Sequence, residues 1–326
     1  MTVTAKKILS WSLKAAILAL AAWFIYHKLA NKNSDLDHFK HFIANLDRTQ
    51  VTFTISAVAV LMLLNWFLEA LKWQYVTRKL IDISRWKAIE SVFCGLTWAI
   101  ITPNRVGEYG GRIMFLPNRK RIHGLFAMIV GGLGQNLVTN ILGLIGVLWF
   151  IHTYVRDKIG DLYFWCIVVF VAAFLFLLNL FYFNIDLMVR VLNRVKFIRK
   201  YQRFFGIMAR YHTTELLNIL WYSTGRFAVF TLQYYLLIHL LVPQLSLLTI
   251  VMTVFTFLLI QSALPSLDIF DIGVRSFTAA NLFAYVTTHQ IAVVVCVSLI
   301  WLINLIIPAV IGCLFVFKLK FFDRDA

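Results

Sequence analysis

Five long stretches without a charged side chain restrict this chain to very few kinds of fold. They hold 20, 34, 24, 41 and 42 residues and lie at 49–68, 122–155, 162–185, 227–267 and 276–317. About 20 apolar residues are enough for an α-helix to cross a bilayer. Of the 326 residues, 61% are apolar and 14% are charged, whereas a soluble domain carries roughly 25% charged residues. We therefore predict an all-α integral membrane protein and exclude disordered, disulfide-rich secreted and soluble catalytic chains.

Hydropathy and loop charge together predict the topology. Six segments are predicted to cross the membrane fully, at about 8–28, 51–71, 123–151, 162–183, 214–241 and 290–317. Lys and Arg are retained on the cytoplasmic side, and they concentrate at 72–87, 105–121, 184–212 and the C-terminus. Both termini are therefore predicted to be cytoplasmic. Six full spans already place both termini on the same side, so each of the two remaining apolar stretches must enter and leave the membrane from one side. We therefore predict two re-entrant hairpins, with 86–121 entering from the cytoplasm and 246–286 from the outside.

The two halves of the chain, about 1–155 and 156–326, share this order of spans within a single transmembrane domain. Pro103 and Pro265 interrupt the two hairpins, and they lie 162 residues apart. Because each half has an odd number of full spans, the halves would have opposite orientations. Interrupted segments at corresponding positions of such an inverted repeat point to a transport site near the midplane. The alternative is a chance agreement of helix lengths.

Polar residues at membrane depth are the candidates for that site, because a charge costs at least roughly 2.5–3.5 kcal/mol at the bilayer centre. Glu69 either contributes to the site or forms an interfacial i,i+3 pair with Lys72. Arg105 and Glu108 have the same spacing, so they also fit a structural pair. The predicted substrate-binding residues are Glu69, Arg105, Glu108, Arg112, Gln135, Asn136, Arg226 and Arg275, and the predicted hairpin breaks are Pro103, Gly107, Pro265 and Gly273.

Other features predict a membrane partner and no catalytic group. Segment 187–211 combines seven cations with aromatic residues, which is typical of a helix lying on an anionic leaflet; nucleic-acid binding is the alternative that we reject. Its four cysteines, all in apolar runs without a CxxC, predict neither a disulfide framework nor a zinc site. There is no P-loop, GxSxG, HExxH or Gly-rich dinucleotide turn. We expect no cofactor, no metal and no enzyme activity.

The stretch from Thr102 to Arg112, TPNRVGEYGGR, resembles a Thr-Pro-x-Arg-x-Gly-Glu segment of the transmembrane region of lysylphosphatidylglycerol synthases, the flippase-like domain family. Arg226 and Gln233 resemble polar positions of its fifth span. In the second hairpin Pro265 and Gly273 match, whereas Ser276 stands where the family commonly has Glu. The resemblance implies an inner-membrane protein that moves or presents lipid. The best-known members add a cytosolic aminoacyltransferase, which we do not expect here.

Our leading hypothesis is a flippase for lipids, or a transporter of lipid-linked substrates, in the bacterial cytoplasmic membrane. Arginines near the two hairpins would bind a lipid phosphate, since a guanidinium can donate two parallel hydrogen bonds to it. The alternative is a non-transporting scaffold for a lipid- or glycan-modifying enzyme. A third hypothesis, an intramembrane lipid transferase, lacks a recognisable nucleophile or metal set. The expected partners are a phospholipid or lipid-linked headgroup, together with such an enzyme or a second copy of the chain.

Overall fold

The structure is a computed structural model that describes residues 47–100, 102, 105–200, 202–264 and 268–317. Within these ranges every regular element is helical. The elements are α1 (Arg48–Thr77), α2 (Arg85–Ile100), α3 (Val106–Ile113), α4 (Arg121–Tyr154), α5 (Arg156–Ile159), α6 (Asp161–Phe183), α7 (Ile185–Arg194), α8 (Lys196–Arg199), α9 (Gln202–Phe205), α10 (Thr213–Leu241), α11 (Leu247–Ala263), α12 (Asp268–Phe283), α13 (Gln290–Trp301) and α14 (Ile307–Val316). Short 3₁₀ turns occupy Asn118–Lys120 and Gly206–Arg210, and a π-helical turn at Leu302–Ile306 joins α13 to α14.

Among the described residues, four continuous helical stretches are long and apolar enough to cross a membrane, at Arg48–Thr77, Asn118–Tyr154, Asp161–Phe183 and Gln290–Val316. They coincide with four of the six predicted spans. The predicted span 214–241 forms the 29-residue helix α10. This helix is long enough to cross a membrane but is less apolar than the other four, because Arg226, Gln233 and His239 lower its hydropathy. The predicted span 8–28 and the chain termini lie outside the described residues, so the predicted orientation stays a prediction.

Both predicted hairpin regions consist of two helices with an interruption between them. In the first, α3 runs back along α2, since Gly111 lies against Gly95 and Gly107 lies against Trp98. In the second, α11 precedes α12. Helices α11 and α12 begin 162 residues after α2 and α3 respectively, the same offset that the two prolines have. Pro103 and Pro265 lie outside the described residues, and re-entry of either hairpin remains a prediction.

The helices pack in a few close pairs. Helix α1 packs on α10, α4 on α11, and α2 on α14. The pair α4–α11 is tight because Gly146 brings the two backbones together: a Cβ at that position would lie 2.7 Å from the carbonyl oxygen of Met252. Helix α6 lies at the periphery, with exposed apolar side chains such as Leu162, Trp165 and Phe170. Such a surface suits contact with lipid chains.

Candidate functional site

One face of α1 carries three polar side chains into the interior. Asn65, Glu69 and Lys72 are spaced four and three residues apart, so the helical period places them on one side. All three are buried. The Lys72 ammonium lies 2.8 Å from the Glu69 carboxylate, and the two side chains are only 5% and 9% exposed. The i,i+3 pair predicted from the sequence is therefore formed, but it lies inside the protein.

Helix α3 and the residue before it place three more charged side chains beside Glu69 and Lys72. Arg112 donates to Glu69 over 2.5 Å and also pairs with Glu108. Arg105 lies 3.1 Å from Glu108, so the predicted i,i+3 pair is present here as well. Arg105 directly precedes α3 with φ 56°; among the described non-glycine residues, it alone has a positive φ. A left-handed conformation is costly for a residue other than glycine, and residues held in it cluster at functional sites.

Arg226 closes the cluster from the middle of α10. Its Nε donates to the Asn65 side chain over 2.9 Å, and its Nη1 pairs with Glu69. The guanidinium also lies 5.3 Å from the centre of the Trp66 ring. Gln135 of α4 contributes a side-chain oxygen that lies 3.3 Å from both Arg226 Nη1 and Lys72 Nζ. Four helices, α1, α3, α4 and α10, therefore meet at these side chains.

The ion-pair cluster has more positive than negative groups. It comprises the four cations Lys72, Arg105, Arg112 and Arg226 and the two carboxylates Glu69 and Glu108. With all six groups ionised its formal charge is +2. Uncompensated charge in a low-dielectric interior is expensive. The cluster is therefore electrostatically suited to an anionic ligand beside it.

Two cavities flank the cluster. The central cavity, of about 360 Å³, is lined by Asn65, Arg105, Asn136 and Arg275 among others. The side cavity, of about 140 Å³, is lined by Glu69, Lys72, Arg112 and glycines of α4. The side chains that border both cavities are Glu108, Gln135 and Arg226. These side chains therefore separate two spaces that follow one another along α1 and α4.

The wall of the central cavity carries polar atoms without a partner. Among the described residues, Gln261 Nε2, Arg105 Nε and Asn304 Oδ1 are buried and make no hydrogen bond. Buried polar groups are nearly always satisfied, so such atoms call for water or a ligand. Asn304 lies in the π-helical turn, and its backbone oxygen accepts from Trp66 Nε1 over 3.2 Å. Single π-helical turns occur frequently at functional sites.

A known protein family matches nearly the whole chain. The family model for the lysylphosphatidylglycerol synthase TM region matches residues 11–312. The chain belongs to this family. No curated protein and no solved structure matches the chain. Together with the four apolar helices, membership makes the chain a membrane domain of a family with lipid-related functions.

The structure brings together all the residues that the sequence predicts for substrate binding in this family member. Six of them line the central cavity, and the other two line the side cavity: Arg105, Glu108, Gln135, Asn136, Arg226 and Arg275, then Glu69 and Arg112. Of the predicted breaks, Gly107 is the second residue of α3, whereas Gly273 lies inside α12.

Sequence reasoning missed Gln261 and Asn304. Gln261 precedes Pro265 by four residues, and Asn304 lies in the longest uncharged stretch. Each is an isolated amide in an apolar run. That is the signal by which they could have been found, since an amide in a membrane helix usually bonds to another helix or lines a cavity.

Proposed function

We propose that this protein is a lipid flippase, or a transporter of a lipid-linked substrate, in the bacterial cytoplasmic membrane. A phosphate-bearing headgroup occupies the central cavity while the acyl chains remain in the bilayer. Arg105 and Arg275 donate to the phosphate, and Gln261 and Asn136 contact the remainder of the headgroup. Arg226 stands beside them and links the headgroup to the ion-pair cluster.

The excess positive charge of the ion-pair cluster next to a cavity is the observation that carries this proposal. Residues from both interrupted regions line that cavity, Arg105 and Glu108 from the first and Arg275 from the second. A phosphate diester bears one negative charge, and it suits paired guanidinium donors. Family membership supports a lipid as the molecule whose headgroup contains this phosphate. The protein's role is then transport without covalent chemistry.

The side cavity gives the proposed path a direction along the helices. It lies toward the C-terminal end of α1 and the N-terminal end of α4, next to the cations that predict the cytoplasmic side. A headgroup passing between the two cavities has to move Arg226, Gln135 or Glu108. We infer that exchange of their ion pairs with the lipid phosphate accompanies each transport event. The scaffold for a lipid-modifying enzyme remains the second candidate.

Transport should depend on the two arginines that border the central cavity. We expect Arg105→Gln and Arg275→Gln each to lower the initial rate of lipid flipping by at least about tenfold, because each removes a charged donor whose hydrogen bond contributes about 1.5–3 kcal/mol. The measurement uses the purified chain in phosphatidylcholine liposomes with fluorescent phosphatidylglycerol. Flipped lipid is counted by its protection from a membrane-impermeant quencher.

Arg156→Gln provides the matched control for this experiment. Arg156 also makes an ion pair, with Asp161 at 2.8 Å, but it lies half-exposed between α4 and α6. The initial rate of lipid flipping by Arg156→Gln should equal that of the unmodified protein. Unchanged flipping in the two cavity variants would contradict the site. No flipping by the unmodified protein, with a lipid-modifying enzyme co-purifying with it, would favour the scaffold.

A further inference from the structure

A third cavity, the basic pocket, lies apart from the ion-pair cluster. It has a volume of about 550 Å³ and forms where three parts of the chain meet. Lys79 follows the end of α1, Lys120 and His123 stand at the start of α4, and Arg203 and Arg210 come from α9 and the 3₁₀ turn after it. Since α1 ends and α4 begins here, the basic pocket lies at one end of two membrane-length helices. The distribution of Lys and Arg predicts that this end is cytoplasmic.

The charge lining the basic pocket is largely uncompensated. Lys79 pairs with Glu215 at 2.7 Å. Within the described ranges, Lys120, Arg203 and Arg210 make no ion pair, and no carboxylate lines the pocket. Three unpaired positive side chains therefore line one concave space, beside the paired Lys79. Such an arrangement raises the local concentration of anions.

Aromatic contacts hold two of the lining side chains in position. The Arg203 guanidinium lies 4.6 Å from the centre of the Phe204 ring. The His123 ring packs edge-on against the same Phe204, with ring centres 5.5 Å apart. His123 Nδ1 is buried and has no hydrogen-bond partner among the described residues. A donor or acceptor held in this way is available to a ligand in the basic pocket.

We propose that the basic pocket binds the phosphate group of an anionic phospholipid from the adjoining leaflet. Basic pockets between membrane helices on the cytoplasmic side suit the headgroups of anionic lipids. The lipid source is favoured over a soluble phosphate compound by Ile122, which is 48% exposed between Lys120 and His123 on the first turn of α4. An acyl chain attached to the bound phosphate can lie against it. This site is independent of the central cavity and does not require transport.

The test removes the three unpaired cations together. The triple variant Lys120→Gln/Arg203→Gln/Arg210→Gln should retain one fewer molecule of dioctanoyl phosphatidylglycerol than the unmodified chain in native mass spectrometry. Its affinity for that lipid should fall roughly a hundredfold, at about fivefold for each cation removed at a membrane surface. Dioctanoyl phosphatidylcholine, which is zwitterionic, should bind the unmodified chain at least about tenfold more weakly.

Two controls separate this site from other effects. The triple variant Arg85→Gln/Arg194→Gln/Arg199→Gln loses the same charge from residues outside the pocket lining, and it should keep the bound lipid. Arg156→Gln, which removes a cation that lines neither the basic pocket nor the central cavity, should also keep it. Full lipid retention in the pocket variant, or equal loss in the control triple, would overturn the proposal. Preference for glycerol 3-phosphate over the lipid would overturn the lipid source.

Single variants test the basic pocket even if the triple variant fails to fold. Arg203 and Arg210 are exposed, so the single variants Arg203→Gln and Arg210→Gln should unfold at the same temperature as the unmodified chain. Each should weaken phosphatidylglycerol binding about fivefold. Unchanged affinity in both folded single variants would be evidence against the site.

Discussion

Glu69→Gln is expected to destabilise the protein by about 3–5 kcal/mol, the usual cost of removing one partner from a buried ion pair. The Glu69 carboxylate lies against Lys72, Arg112 and Arg226 at once. Its loss raises the formal charge of the cluster from +2 to +3 and leaves the Lys72 ammonium without its carboxylate. In thermal unfolding followed by tryptophan fluorescence, the midpoint should fall by on the order of 10 °C.

Two further variants test whether the loss of stability arises from buried charge. Glu69→Gln/Lys72→Met removes both partners of one pair and should recover a large part of the midpoint, because apolar replacements of buried ion pairs are often nearly neutral. Asp161→Asn breaks the exposed pair with Arg156, in which the Asp161 side chain is 74% exposed. It should cost under about 1 kcal/mol. A midpoint for Glu69→Gln equal to that of Asp161→Asn would refute the central role of Glu69.

The helices themselves could be predicted closely from the sequence. The spans predicted at 162–183 and 123–151 correspond to Asp161–Phe183 and Arg121–Tyr154. This agreement has a physical cause, since in a bilayer each apolar run must satisfy its own backbone hydrogen bonds and a helix does so within the run. The same argument weakens for α10, because polar residues along it lower the hydropathy on which the prediction rests.

The candidate site could be predicted as a set of residues but not as an arrangement. The cost of a charge at membrane depth was enough to select Glu69, Arg112 and Arg226. Their contacts join residues 43 and 157 positions apart in the chain, and no local pattern encodes which residues meet at such separations. Burial of the Glu69–Lys72 pair was missed for the same reason: an i,i+3 spacing gives a helix face but does not say what covers it.

Substituting the two glycines predicted as hairpin breaks should have opposite effects. A Cβ at Gly107 would lie 2.3 Å from the carbonyl oxygen of Trp98 and 2.6 Å from Thr102 Oγ1, whereas a Cβ at Gly273 would meet no atom of the described residues within 4 Å. We expect Gly107→Ala to cost about 1–3 kcal/mol or more through overpacking. Gly273→Ala should stabilise α12 by up to about 1 kcal/mol, because alanine favours a helix interior. Thermal midpoints of the two variants measure the difference.

Gly107→Ala should also lower lipid flipping at least about tenfold, because the clash is with backbone atoms and α3 must move away from α2. That movement displaces Glu108, which borders both cavities, together with Arg112. Thr102→Val gives a milder perturbation that adds no atom between the helices: it removes the hydroxyl that accepts from the Gly107 amide over 2.7 Å. Flipping should then fall in the order Gly273→Ala, Thr102→Val, Gly107→Ala. A Gly107→Ala protein as stable and as active as Gly273→Ala would mean that close packing of α3 on α2 does not position the site.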